Sequence, residues 1–88
     1  MSWIVRLTNA AVKQSHLLPP NERRKMELLL NELRRIGPVR GNWPNYSKLA
    51  DGSHHCHLSY RWVACWRETV KGIQVEVYYV GSREKAPY

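Results

Sequence analysis

His55 and His57 stand two apart in an HHCH run, Arg61 follows shortly after, and the sequence closes on VGSREKAPY with Arg83, Lys85 and Tyr88. Imidazole exchanges a proton near neutral pH. Guanidinium grips a phosphate through two parallel hydrogen bonds and can steady charge that develops in a transition state. No carboxylate cluster accompanies these groups. Glu27, Glu32, Asp51, Glu68, Glu76 and Glu84 are scattered along the chain, which argues against a two-metal nuclease site. The set suits RNA, and suits cutting it without a metal.

The elements that must position these residues read as a three-strand meander, Lys48 to Leu58, Arg61 to Glu68 and Ile73 to Val80, with a turn at Lys71-Gly72. Strand side chains alternate between faces. In the first of these strands Cys56 and Leu58 belong to the core, which leaves His55 and His57 on the other side. In the second, Trp62, Ala64 and Trp66 turn inward and Arg61, Val63, Cys65 and Arg67 outward. In the third, Ile73, Val75, Val77 and Tyr79 share the apolar face. If helices cover one face, the open face carries His55, His57, Arg61 and Arg67 together, and a bulge would flip part of the assignment. The same alternation separates Cys56 from Cys65, so a cross-strand disulfide is not expected. It also splits the HHCH run into two pairs, only half of a zinc site.

Upstream, Trp3, Val5 and Leu7 alternate with Ile4 and Arg6 in a first strand. Thr8 or Asn9 caps a short helix running towards His16, which Pro19-Pro20 ends, and Asn21 caps the next. That second helix carries Met26, Leu29, Leu30, Leu33 and Ile36 on one stripe, with Arg23, Lys25, Glu27, Glu32 and Arg35 outside, where Arg23 with Glu27 and Glu32 with Arg35 can pair. Gly37-Pro38 stops it. The stretch from Gly37 to Ser47 is a loop anchored by Trp43 and Tyr46.

Eighty-eight residues make a single domain, 1–88. The net charge of +7 points to a polyanionic or acidic partner. The strand-like start of the sequence predicts no signal peptide, and no apolar run has membrane-spanning length, so a cytoplasmic protein without a membrane partner is expected. Two cysteines are too few for a disulfide framework. Each candidate also has a plainer reading. The histidines read equally as half-exposed strand residues without a role, Arg67 and the helix arginines as a solvated surface, and Trp43 as a core plug.

The order of elements resembles the RelE/ParE superfamily of toxins from bacterial type II toxin-antitoxin systems. The likeness rests on the helical hairpin ending in LRRIGP, the strand starting at Lys48-Leu49, the Arg-bearing middle strand and VGSREKAPY. The GNWPNYSKL, HCHL, VACW and EKAPY segments are similar to a subgroup described as cytotoxic translational repressors. The resemblance implies an α+β fold, an N-terminal strand and helical hairpin packed on the three-strand antiparallel meander. It also implies an endonuclease acting on mRNA in the ribosomal A site, beside 30S rRNA, silenced by a cognate antitoxin and needing no cofactor. In that chemistry the ribose 2′-hydroxyl attacks the adjacent phosphorus. By position, Arg61 and Arg83 match the phosphate-binding or acid arginines, and Tyr88 matches the tyrosine that closes the motif. His55 and His57 stand where relatives carry strand lysines and become candidate general bases. Lys85, Arg67, Lys48 and Arg40 are the expected RNA contacts. The alternatives are a ParE-like inhibitor of DNA gyrase and a catalytically inactive relative that binds antitoxin or RNA.

Overall fold

Residues 2–88 are described, in a computed structural model. The chain runs β1 (Ile4–Leu7), α1 (Asn9–His16), α2 (Pro20–Ile36), β2 (Ser47–Lys48), β3 (His54–His57), β4 (Trp62–Val70) and β5 (Gln74–Ser82). A short 3-10 turn, Arg83–Lys85, follows. The strands form one sheet in the order β1-β5-β4-β3-β2, in which β1 lies parallel to β5 and every other pair is antiparallel. The expected α+β class and the β3–β4–β5 meander are both present. No helix among the described residues is long and apolar enough to cross a membrane.

Thr8 caps α1, its Oγ accepting the Ala11 N–H at 3.0 Å. The double proline does something other than stop that helix. α1 ends on Leu17, and Pro20 opens α2, with no side-chain cap from Asn21. Proline fits a first helical position because its fixed φ is helical and no intrahelical donor is needed there. Arg23 bridges the two helices, its Nη2 donating to the carbonyls of His16 at 2.9 Å and Leu18 at 3.3 Å. It thereby satisfies acceptors that the end of α1 leaves open.

The inner stripe of α2 is Met26, Leu29 and Leu33, all buried; each such side chain contributes on the order of 2 kcal/mol. Ile36, expected on that stripe, is 56% exposed, because the helix ends there and runs off the sheet. Gly37 follows at φ +104°, and a Cβ there would lie 2.7 Å from the Trp3 ring, so the turn and the close approach both require glycine.

Glu32 corrects the helical wheel more sharply. Its Oε1 accepts hydrogen bonds from Arg40 Nη1 (3.1 Å), Asn42 Nδ2 (2.9 Å) and Trp43 Nε1 (3.0 Å), not from Arg35. The loop between α2 and β2 therefore folds back onto the helix. Trp66 fixes its other side by donating from Nε1 to the Pro38 carbonyl at 2.9 Å.

The strand expected from Lys48 to Leu58 is broken in two. Asp51 Oδ1 accepts both the N–H (3.0 Å) and the hydroxyl (2.6 Å) of Ser53, and Gly52 takes φ +86°. This turn folds Lys48 back opposite His54. In β5 the register runs Cys65↔Tyr79 and then Trp66↔Val77, so Tyr78 is an extra, bulged residue. Val75 and Val77 stay in the core as expected. Beyond the bulge Val80 takes the core position opposite Ala64, and Tyr79 moves to the far face with Cys65. Ile73 lies in the turn, 52% exposed.

Cys56 and Cys65 are free and lie on opposite faces, as alternation required. Burial pushes the Cys65 thiol up to about 12, and burial raises Cys56 as well. Neither should react with a maleimide in the native protein near pH 7.5, and both should react once urea unfolds it. Labelling counted by mass spectrometry checks this; fast native labelling of either thiol would contradict the packing.

Candidate functional site

The face of the sheet away from the helices holds His55 and His57 of β3 beside Val63 and Cys65 of β4, as the period-two reading placed them. It is not open. His55 and His57 are 8% and 7% exposed, and Val63 and Cys65 are fully buried. The closing segment folds back over them. The ring of Tyr88 lies 4.3 Å from that of His55, and His57 lies 6.0 Å beyond. His55 Nδ1 is engaged by Ser47 Oγ at 3.0 Å, which leaves Nε2 for exchange. Burial first, then the charge of His57, lower the His55 pKa against the opposing Ser47 contact, so the imidazole is neutral at pH 7. Burial raises the Tyr88 pKa, opposed by the nearby Arg83 charge, so its phenol keeps its proton.

Arg61 and Arg83 meet at the adjoining end of the sheet. The Arg83 N–H donates to the Arg61 carbonyl at 2.7 Å, because Trp62 pairs with Ser82 and carries the β4–β5 ladder to this point. The Arg83 guanidinium lies 4.6 Å over the ring of Tyr60, an arrangement that holds it without neutralising it. Tyr60, Arg61, Trp62, Ser82, Arg83 and Glu84 line a cleft of 440 Å³. Tyr60 is 72% exposed in the β3–β4 turn, open to a base on its free side.

The other expected contacts are dispersed. Lys85 is exposed and borders a neighbouring groove. Lys48 is exposed on the edge strand β2. Arg67 is six residues from Arg61 on β4, about 20 Å away at the usual rise. It lies 3.8 Å from Glu76 and 4.1 Å over the Tyr78 ring. Arg40 is not a surface contact at all: it is buried and its guanidinium is committed to Glu32.

Two residues were not anticipated. Ser47 gave no signal until β2 folded back onto β3. His54 was set aside as the inward partner of the candidate pair, yet it is sandwiched between Tyr46 and Trp66, with its Nδ1 2.7 Å from the Tyr46 hydroxyl. Burial, then the Lys48 charge, lower its pKa against an opposing pull from Glu68. The fold holds His54 and His55 neutral, while the unfolded chain protonates them below about 6.5. Their contribution to stability is thus present above that value and lost as pH falls. Urea melts should show stability dropping between pH 7.5 and 5.5. His54→Phe, which keeps the ring stack, should flatten that slope, and an unchanged slope would contradict it.

No group of three or more His, Cys, Asp or Glu side chains among the described residues is placed to hold a metal ion. No family model matches the chain, and no curated protein matches it. Solved structures do. A chain of the archaeal RelE-RelB complex from Pyrococcus horikoshii superposes with a TM-score of 0.74 at 15% identity, covering 98% of this chain and 100% of that one. A chain of the DinJ-YafQ toxin-antitoxin complex of Escherichia coli gives 0.75 at 11% identity, with 96% of each covered. A chain of the RelBE2 toxin-antitoxin complex of Mycobacterium tuberculosis gives 0.70 at 21% identity, covering 94% of this chain and 100% of that one. The chain therefore has a RelE-like α+β fold over almost its whole length.

Proposed function

We propose that this protein is the toxin of a type II toxin-antitoxin system, a ribosome-dependent endoribonuclease that cuts mRNA by 2′-hydroxyl attack. The observation that carries this is that Arg61 and Arg83 share one cleft while the closing Tyr88 stacks on His55 of the same sheet. The 2′-oxygen forms a bond to phosphorus as its proton passes to a neutral imidazole, for which His55 is the candidate. Arg61 and Arg83 donate to the phosphorane oxygens. The 5′-oxygen leaves with a proton, for which the Tyr88 phenol is a donor far more acidic than the departing alcohol. The products are a 2′,3′-cyclic phosphate and a 5′-hydroxyl.

His55 lies beneath Tyr88, so this sequence requires the ring to slide aside as RNA enters. The ring is half exposed and makes no hydrogen bond among the described residues, so the shift opposes little more than stacking. The similar chains come from complexes with antitoxins, and the charge of +7 suits an acidic cognate partner. The same charge suits the mRNA and 30S rRNA of the ribosomal A site in the cytoplasm.

Ribosomes programmed with a message carrying a single 2′-deoxynucleotide at the cut position test the chemistry. Cleavage should vanish at that position and persist in the all-ribose message. Cleavage at the deoxynucleotide would rule out 2′-hydroxyl attack.

A further inference from the structure

The Arg61–Arg83 cleft has Trp62 and Ser82 in its wall. Behind that indole and Ser82 lies a second groove of 410 Å³, between the end of α1 and the β4–β5 ladder, bordered by Gln14, Leu17, Tyr79 and Lys85. Its walls are mainly apolar, and Leu17 is 79% exposed at its mouth. Gln14 is held in a fixed orientation: its Oε1 accepts the Val80 N–H at 2.9 Å, across the α1–β5 junction. With that oxygen taken, the amide presents only N–H donors, and the Lys85 ammonium is a donor too. The Tyr79 ring lies on the far face, its hydroxyl donating to the Ser82 carbonyl at 2.7 Å.

We propose that this groove receives the nucleobase next to the scissile phosphate, and that Gln14 Nε2 and Lys85 select a keto base, uracil or guanine. The proposal rests on the endonuclease reading of the adjoining cleft. A flat base has the shape and the π-faces for a slot between Trp62 and Leu17. Donors on the protein meet carbonyl acceptors on uracil and guanine, whereas cytosine and adenine present an exocyclic amine, itself a donor, at the equivalent edge. The rim matches a phosphodiester chain, with Arg61, Arg83 and Lys85 set against Glu84 alone. A strand lapping over this end of the sheet would place its base on the helix side, its phosphate at the arginines and its sugar towards Tyr88 and His55.

Fluorescence anisotropy with oligodeoxyuridine and oligodeoxycytidine tetramers, which the protein cannot cut by 2′-attack, tests the groove. Wild type should bind the uridine tetramer about fivefold to tenfold more tightly, the effect of one discriminating hydrogen bond. Gln14→Glu keeps an acceptor for the Val80 N–H but removes the donors, so it should cancel or reverse that preference. Leu17→Glu, at a position too exposed to unfold the protein, should weaken both tetramers. Equal binding of the two by wild type, or a preference unchanged in Gln14→Glu, would overturn the proposal. Binding of neither tetramer, with binding of a Glu-rich amphipathic peptide, would give the groove to a protein partner instead. These outcomes separate from cleavage: a protein that cuts messages but shows no base preference loses the groove alone. One that prefers uridine but leaves messages intact loses the nuclease.

Discussion

Arg83→Ala should slow mRNA cleavage on programmed ribosomes by about 10²–10³-fold, the usual cost of removing one preorganised donor to a developing negative charge. Its melting temperature should stay near that of wild type. The guanidinium is exposed and lies over the ring of Tyr60, while the structural bond at this position, from its N–H to the Arg61 carbonyl, survives truncation of the side chain. Arg83→Lys keeps the charge but not the planar fork, and should fall between the two. Single-turnover rates and thermal melts of the three proteins decide it. A wild-type rate for Arg83→Ala would remove this residue from the mechanism.

Glu32→Ala should destabilise the fold by about 3 kcal/mol, the scale of breaking a buried ion pair from one side. The change strands the Arg40 guanidinium, which is buried and whose Nε has no hydrogen-bond partner among the described residues even before the substitution. It also leaves the Trp43 and Asn42 donors without their acceptor. Hydrogen bonds from Asn42, Trp43 and Arg40, with the Arg40 charge, hold the Glu32 carboxyl below its ordinary value despite some desolvation. Its contribution is therefore present above about 4.5 and lost as pH falls further. Combining Glu32→Ala with Arg40→Met removes the stranded charge and should recover much of the loss. Urea denaturation of the single and double variants measures both effects. A loss under 1 kcal/mol in the single variant would show that the loop is not held through Glu32.

The contrast between these residues shows what the sequence discloses. His55 and His57 on one face, Trp62, Ala64 and Trp66 on the other, and the separation of Cys56 from Cys65 follow from the period of a strand, a local property. The buried stripe of α2 follows in the same way from the period of a helix. Glu32 did not, because a helical wheel cannot show that a loop ten residues on will return to the outer face and bring its own donors. Tyr79 was assigned to the core because alternation carries no mark of a bulge at Tyr78. The far face was expected to be open because nothing local says that a closing segment will fold back over it.

The site divides along the same line. Residue chemistry and the resemblance set Arg83 and Tyr88 at the rim of the histidine face, and Tyr88 does lie against His55 while Arg83 shares a cleft with Arg61. That Arg40 serves the core instead, that Arg67 lies at the other end of β4, and that Tyr88 covers His55 are long-range facts of packing.

Mapping mRNA ends on ribosomes after expression of the protein without an antitoxin tests the central claim most directly. The predicted result is a set of new 5′-hydroxyl ends at A-site codons, absent with Arg83→Ala, and plasmid supercoiling that stays normal. Intact messages together with a loss of gyrase-dependent supercoiling would contradict it.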